Sequence, residues 1–337
     1  MINLMNDYNQ TAHPRVLEAI QAATGRRFSG YGTDEETAFA AETVRKLIGR
    51  SDADIHFLAG GTLTNLTALG AFLRPHEAVI SPESSHIYMH ETGAIEAVGH
   101  KILSFHAKDG KADAESVRAI ASSHSNEHMV KPKLLFISQA TELGTVYSHA
   151  DLAALRKVCD EYGLFLYVDG ARLANALVSP SCDYTLEDLT GYADAFYIGG
   201  TKNGLLFGEA LVILNPLLKE EFRYLIKQRG GLLAKGFLLG LQFRALFEDG
   251  LWLELARHAN DMAERLRQGL IAAGVTLLIE NDINQVFLYA RPDMMPHLEK
   301  HVLFEQWGRE EAAGIPIRFV TSWATTEEEV ETVLKLF

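Results

Sequence analysis

Cysteine is almost absent: Cys159 and Cys182 are the two in a chain of 337 residues. They make no disulfide framework and show no metal-ligand spacing. Cys159 lies in the helical pattern "ADLAALRKVCDEYG", where it reads as a packing residue, and a reducing, cytoplasmic setting is expected. Lys and Arg are nowhere clustered and the formal charge is −13. Neither nucleic acid nor an anionic membrane is expected as a partner, because phosphate contacts need such clusters. No apolar run approaches the roughly 20 residues that span a bilayer. The opening "MINLMNDYNQ" lacks the basic and then apolar pattern of a signal peptide. Internal repeats, low-complexity tracts and long linkers are missing too.

What is present is an ordinary globular composition, 47% hydrophobic and 22% charged. The length suits one large domain and a smaller one. "TDEETAFAAETVRKLIG" predicts a helix with a capping box from Thr33 to Glu36, and "TLTNLTALGAFL" predicts a helix after the Gly60-Gly61 pair. "KLLFIS" (133–138), "LFLYVD" (164–169), "AFYIGG" (195–200) and "ALVIL" (210–214) read as short buried strands. Between the first two, "SHADLAALRKVCDEYG" reads as a helix capped by Ser148 and stopped by Gly163. That rhythm implies an α/β fold, a largely parallel central sheet with helices on both faces. From about 216 the pattern turns to long helices, then "VTLLIE", "NQVFLYA", "IPIRFVTSW" and a last helix. The expected division is a large domain over 1–249, with an N-terminal arm, and a smaller C-terminal α+β domain over 250–337.

In open α/β sheets, ligand-binding residues collect beyond the carboxyl ends of the strands. Three stretches meet that rule. "LYVDGAR" ends a strand with Asp169 and adds Arg172; "YIGGTKN" ends the next with Thr201 and Lys202; "FLAGGTLTN" sets Gly61 and Thr62 at a helix start, where free N–H groups favour a phosphate. A phosphate cradle, a strand-end carboxylate and a strand-end lysine together suggest pyridoxal phosphate (PLP), with Lys202 as its covalent anchor and Asp169 facing the pyridine nitrogen. Taken singly, each feature has an ordinary explanation: a turn, a cap, a solvated lysine. No metal site is expected. His86 and His90 stand one helical turn apart, but no third ligand completes a zinc set.

The motifs "GYGTDEET", "AGGTLTNLTAL", "SHIYMHETGA", "SQATELGTVY", "YVDGARLANAL" and "GGTKNGLLFGEALVI" resemble the low-specificity threonine aldolases, PLP enzymes of the aspartate-aminotransferase superfamily (fold type I). The similarity continues through "LWLELARHAN", "NQVFLY" and "IRFVTSWATTEE", nearly the whole chain. It implies cleavage of L-threonine or L-allo-threonine to glycine and acetaldehyde, with PLP as cofactor. It also implies a homodimer or homotetramer with active sites at the subunit interface.

Residue by residue, the resemblance makes Lys202 the cofactor lysine and sets Asp169 and Arg172 on the cofactor ring. Gly61 and Thr62 would bind its phosphate. His86 would stack on the ring and take the proton of the β-hydroxyl, helped by His90; a plain helix-start or core histidine is the alternative. Arg318 would pair with the substrate carboxylate. Asn6 and Asp7 would reach the substrate, and Tyr31 would cross a subunit interface. Lys235 stands open between a phosphate contact for a neighbouring subunit and an ordinary surface lysine. Two positions depart from some relatives, Glu142 and His90, both at the β-hydroxyl end of the pocket. Other expectations for such a chain are a β-eliminating lyase, an aminotransferase, or a non-catalytic binding protein on the same fold.

Overall fold

The computed structural model describes residues 1–337. Its centre is a seven-stranded sheet in the order Asp54–Leu58, Glu209–Ile213, Ala195–Gly199, Phe165–Asp169, Lys131–Ser138, Glu77–Pro82, Ile102–Phe105. Only Glu209–Ile213 runs against its neighbours. Period-2 alternation sorts these strands into two cores. Leu135, Ile137, Leu166, Val168, Phe196 and Ile198 face one helical layer, while Leu134, Phe136, Tyr167 and Tyr197 face the other. Burial on both faces explains why these strands read as continuous apolar runs.

A three-stranded antiparallel sheet, ordered Glu305–Gln306, Ile315–Val320, Gln285–Ala290, packs on the helices Leu251–Ala272 and Glu327–Leu334. Residues Ile2–Asn3 pair with Val302–Leu303, and Leu4 joins this smaller core. The chain thus begins on the small sheet before it builds the large one.

Two local expectations need correction, a cap and a long helix, and the stretch "VTLLIE", open in form from its sequence, is irregular. The helix Glu35–Leu47 is capped by Asp34, not Thr33: the Asp34 carboxylate accepts from Thr37 N and Thr37 Oγ1, while Thr33 donates to Gly30 O. Glu36 is drawn away from the cap because it holds Arg26 and Arg244. "PLLKEEFRYLIKQ" breaks at Glu221, which has φ 53°, into a 3₁₀ turn and the helix Phe222–Gln228. "VTLLIE" is no strand and makes one isolated bridge, Leu277 to Leu288. The cap by Ser148 and the left-handed stop at Gly163 are found as the sequence indicates, with Asp151 completing a capping box. Cys159 is buried, and burial pushes its thiol up to about 12.

Candidate active site

Five chain segments leave the same edge of the large sheet and turn inward together. They follow Leu58, Pro82, Ser138, Asp169 and Gly199, and bring Gly61 and Thr62, His86 and His90, Glu142, Arg172, and Lys202 around one cavity of about 490 Å³. Arg318, Glu305 and Trp307 of the small sheet form the remaining wall. Tight turning here depends on Gly170, where an added Cβ would collide with the carbonyl oxygen of Tyr197. Only glycine lets the loop after Asp169 lie this close to the neighbouring strand.

The helix Gly61–Phe72 opens at the cavity with Gly60 as its cap, and no side chain bonds its first-turn amides. Those N–H groups have no intrahelical partner, so they and the helix dipole suit an anion. An added Cβ on Gly61 would come within 3.2 Å of Tyr197 Oη, so the cradle is shaped by the missing side chain.

Asp169 is fixed from three directions. Tyr197 donates its hydroxyl to Oδ1 at 2.5 Å, Ala171 N donates to Oδ1 at 3.0 Å, and Asn65 Nδ2 donates to Oδ2 at 3.0 Å. Asn65 Nδ2 also donates to Glu91 Oε1 at 2.8 Å, and Tyr167 donates to Asn65 Oδ1 at 3.2 Å. The same Glu91 oxygen lies 2.8 Å from His86 Nδ1. Burial alone would lower the proton affinity of His86, but the Glu91 hydrogen bond and the nearby Glu142 and Asp169 charges raise it above the ordinary value. The His86 and His90 rings stand 5.6 Å apart.

Lys202 reaches the cavity from a turn closed by Gly200 N and Thr201 N donating to Gly208 O. Burial first, and then the charge of Arg172, lowers its proton affinity. Glu209 props this turn: Oε1 accepts from Thr201 Oγ1 at 2.8 Å and Oε2 from Gly200 N at 3.0 Å. Burial pushes the Glu209 carboxyl up to about 8.

Arg318 projects from the strand Ile315–Val320 between Glu305 and Phe287, its cross-strand neighbours. Its guanidinium carbon lies 4.5 Å from the Trp307 ring centre, and Nη2 donates to Glu305 Oε2. Burial, followed by the Arg172 charge, lowers its proton affinity.

Four expected residues lie outside the cavity wall. Asp7 sits behind Arg172, accepting from its Nε at 2.7 Å and Nη2 at 3.1 Å, with Asn284 donating at 2.9 Å. Asn6 accepts from Tyr8 N, and it is Tyr8 that reaches the wall. Tyr31 and Lys235 are exposed on a separate surface, where Tyr31 N donates to Ala234 O.

A family model described as "Beta-eliminating lyase" matches residues 9–292. A low-specificity L-threonine aldolase of Pseudomonas sp. is 36% identical over 324 residues, covering 94% of this chain and 91% of the relative. One from Escherichia coli is 30% identical over 86% of this chain and 84% of its own length. The chain belongs to the low-specificity threonine aldolase family. A solved threonine aldolase from Leishmania major superposes with TM-score 0.98 at 43% identity, covering 100% of this chain and 98% of that one. An aspartate aminotransferase variant of Thermus thermophilus superposes with TM-score 0.74 at 18% identity, which shows the shared fold. PLP is the cofactor of this family and fold, and the residues present fit it: a helix start with no side-chain cap for a phosphate, a braced carboxylate, and a lysine of lowered proton affinity.

Several members of this threonine aldolase site carry no sequence signal strong enough to single them out. Glu91 stands within "SHIYMHETGA" but without helical spacing to His86. Asn65 reaches Asp169 across 104 residues of chain. Glu209 had a usable signal, a carboxylate opening an otherwise apolar strand in "GEALVI". Glu305 and Trp307 had none.

Proposed function

We propose that this chain cleaves β-hydroxy-α-amino acids, L-threonine and L-allo-threonine first, to glycine and an aldehyde by a retro-aldol reaction. PLP, when bound, supplies a sink for the electron pair of the breaking Cα–Cβ bond. Lys202 offers an amine of lowered proton affinity, suited to bonding with an aldehyde near neutral pH. Asp169, braced by Tyr197, Asn65 and Ala171 N, is the carboxylate that would hold the ring nitrogen of bound PLP protonated. Arg318 takes the substrate carboxylate and thereby fixes which bond to Cα is aligned for cleavage. His86 uses Nδ1 on Glu91, which leaves Nε2 to accept the proton of the β-hydroxyl. The O–H electron pair becomes the second bond of the aldehyde C=O, and the Cα–Cβ pair stays with Cα. His90 stands next to His86 at the same end and assists.

The observation that carries this reading is the carboxylate-backed His86, with raised proton affinity, in one cavity with Lys202, Asp169 and Arg318. Product analysis tests it. Holoenzyme given L-threonine should yield glycine and acetaldehyde in equal amounts. Formation of 2-oxobutyrate and ammonia in their place would make the chain a β-eliminating enzyme.

Tyr31 and Lys235 are assigned to the active site of a neighbouring subunit in a homodimer or dimer of dimers. In support, they sit on one exposed basic surface with Arg223, which donates to Tyr31 O, and Lys227, 4.4 Å over the Tyr31 ring. No carboxylate pairs with Lys235 or Lys227 within the chain.

A further inference from the structure

The wall that the small sheet gives to the cavity holds a carboxylate that none of the roles above uses. Glu305 and Arg318 are directly opposed on adjacent antiparallel strands, so their side chains share one face. Arg318 Nη2 donates to Glu305 Oε2, yet Arg318 Nε is buried without any partner. Nε and Nη2 form one edge of the guanidinium, the edge that takes a carboxylate through two parallel hydrogen bonds. Glu305 therefore occupies half of that edge and leaves the other half unsatisfied. A buried donor without an acceptor is costly, so this edge favours any carboxylate that can fill both positions.

The two partners differ in freedom. Arg318 has 11% of its side chain exposed and is held by the faces of Trp307 and Phe287, whereas Glu305 has 40% exposed and lies on the two-residue edge strand Glu305–Gln306. Of the pair, it is Glu305 that can swing into solvent.

We propose that Glu305 is a specificity-determining residue, a built-in carboxylate on Arg318 that the substrate's α-carboxylate must displace. This rests on the reading of Arg318 as the carboxylate partner. An incoming amino acid fills Nε and Nη2 together and is anchored at its amine as well, so it outcompetes Glu305. Displacing Glu305 costs every carboxylate the same, so a simple carboxylate, held by the guanidinium alone, drops below useful occupancy while the doubly anchored amino acid stays bound. When glycine leaves, Glu305 returns to Nη2 and spares Arg318 a fully unpaired edge. Threonine affinity is thereby traded for selection against small carboxylates and for easier product release.

The test measures KM for L-threonine and inhibition by acetate on holoenzyme carrying Glu305→Gln or Glu305→Ala, with cofactor absorbance and Tm as folding controls. Removing a half-exposed competing charge should lower KM about three- to tenfold and strengthen acetate inhibition by about the same factor. Unchanged or raised KM in both folded variants would overturn the proposal. The same substitutions in an Arg318→Lys background separate it from the reading beneath it. If Arg318→Lys raises KM, Arg318 holds the substrate, and Glu305→Gln should then bring little further change. An equal gain in both backgrounds would mean that Glu305 acts only as a general negative charge, which sinks the competition. If Arg318→Lys leaves KM unchanged, the Arg318 assignment fails and the proposal with it.

Discussion

In the proposed reaction, His86 and Glu91 are the pair on which the pH dependence turns. The Glu91 hydrogen bond favours the charged imidazole and holds its proton affinity above the ordinary value against the opposing effect of burial. As a base His86 must be neutral, so kcat/KM should rise with pH through this elevated pKa. Glu91→Gln should move that acid limb to lower pH and lower the plateau by about tenfold or more, because a weaker and less oriented base remains. A pH profile equal to that of the wild type would remove Glu91 from the mechanism. The sign for stability follows from the same shift. A raised folded-state pKa stabilises fully below the unfolded value and fades as pH rises through the folded one. Glu91→Gln should therefore lower Tm more at about pH 5.5 than at about pH 8.5. His86 was legible from "SSHIY", but Glu91 was not. The helix that starts at His86 is only four residues long, and the chain then turns through Thr92 at φ 52°. No periodic spacing survives that turn.

Elements were legible where one kind of burial rules them. The strands 133–138, 164–169, 195–200 and 210–214 agree with the observed ones to within two residues, since two apolar faces leave a continuous apolar signature. Capping was legible at Ser148 and one residue off at Thr33, where two adjacent residues can each serve as cap and Glu36 is taken by two arginines. Thermal melts of two variants test that correction. Asp34→Ala should cost about 1–2 kcal/mol, and Thr33→Ala a few tenths of that order, within the range of ordinary surface changes. Equal losses would contradict the cap assignment. The loop after Asp169 gives a sharper test. Gly170→Ala drives a methyl group into the Tyr197 carbonyl, between the strand that carries Asp169 and the one that leads to Lys202. A loss of about 3 kcal/mol or more, with poor retention of PLP, is expected. Normal PLP content and an unchanged Tm would show that the two strands separate more readily than their packing indicates.

At the scale of the molecule, the site exists because two sheets meet. Lys202, Asp169 and the helix start at Gly61 belong to the large sheet, and Arg318 belongs to the small one. Asp7 clamps Arg172 while Ile2–Asn3 pair with Val302–Leu303, so the N-terminal segment ties the two parts together. No helix is long and apolar enough to cross a membrane. The fold class and the position of Lys202 just beyond a strand end could be read in the sequence. The joining of Arg318 to Lys202 could not be read from local pattern, because it depends on how two separately buried cores dock. Subunit exchange tests the assignment of Tyr31 to a neighbouring site. Lys202→Ala and Tyr31→Ala proteins should each be weak alone, and an equal mixture after exchange should recover about a quarter of wild-type activity per chain, as half the dimers then hold one intact site. Additive activity with no recovery would place Tyr31 in its own subunit's site or in none.

Peptide mapping of holoenzyme after borohydride reduction identifies the lysine that holds PLP. The PLP mass should be fixed on the peptide that contains Lys202, and Lys202→Ala should carry no fixed cofactor and cleave no threonine. Reduced cofactor on Lys235 or any other lysine, or threonine cleavage by Lys202→Ala at a rate near that of the wild type, would contradict the account.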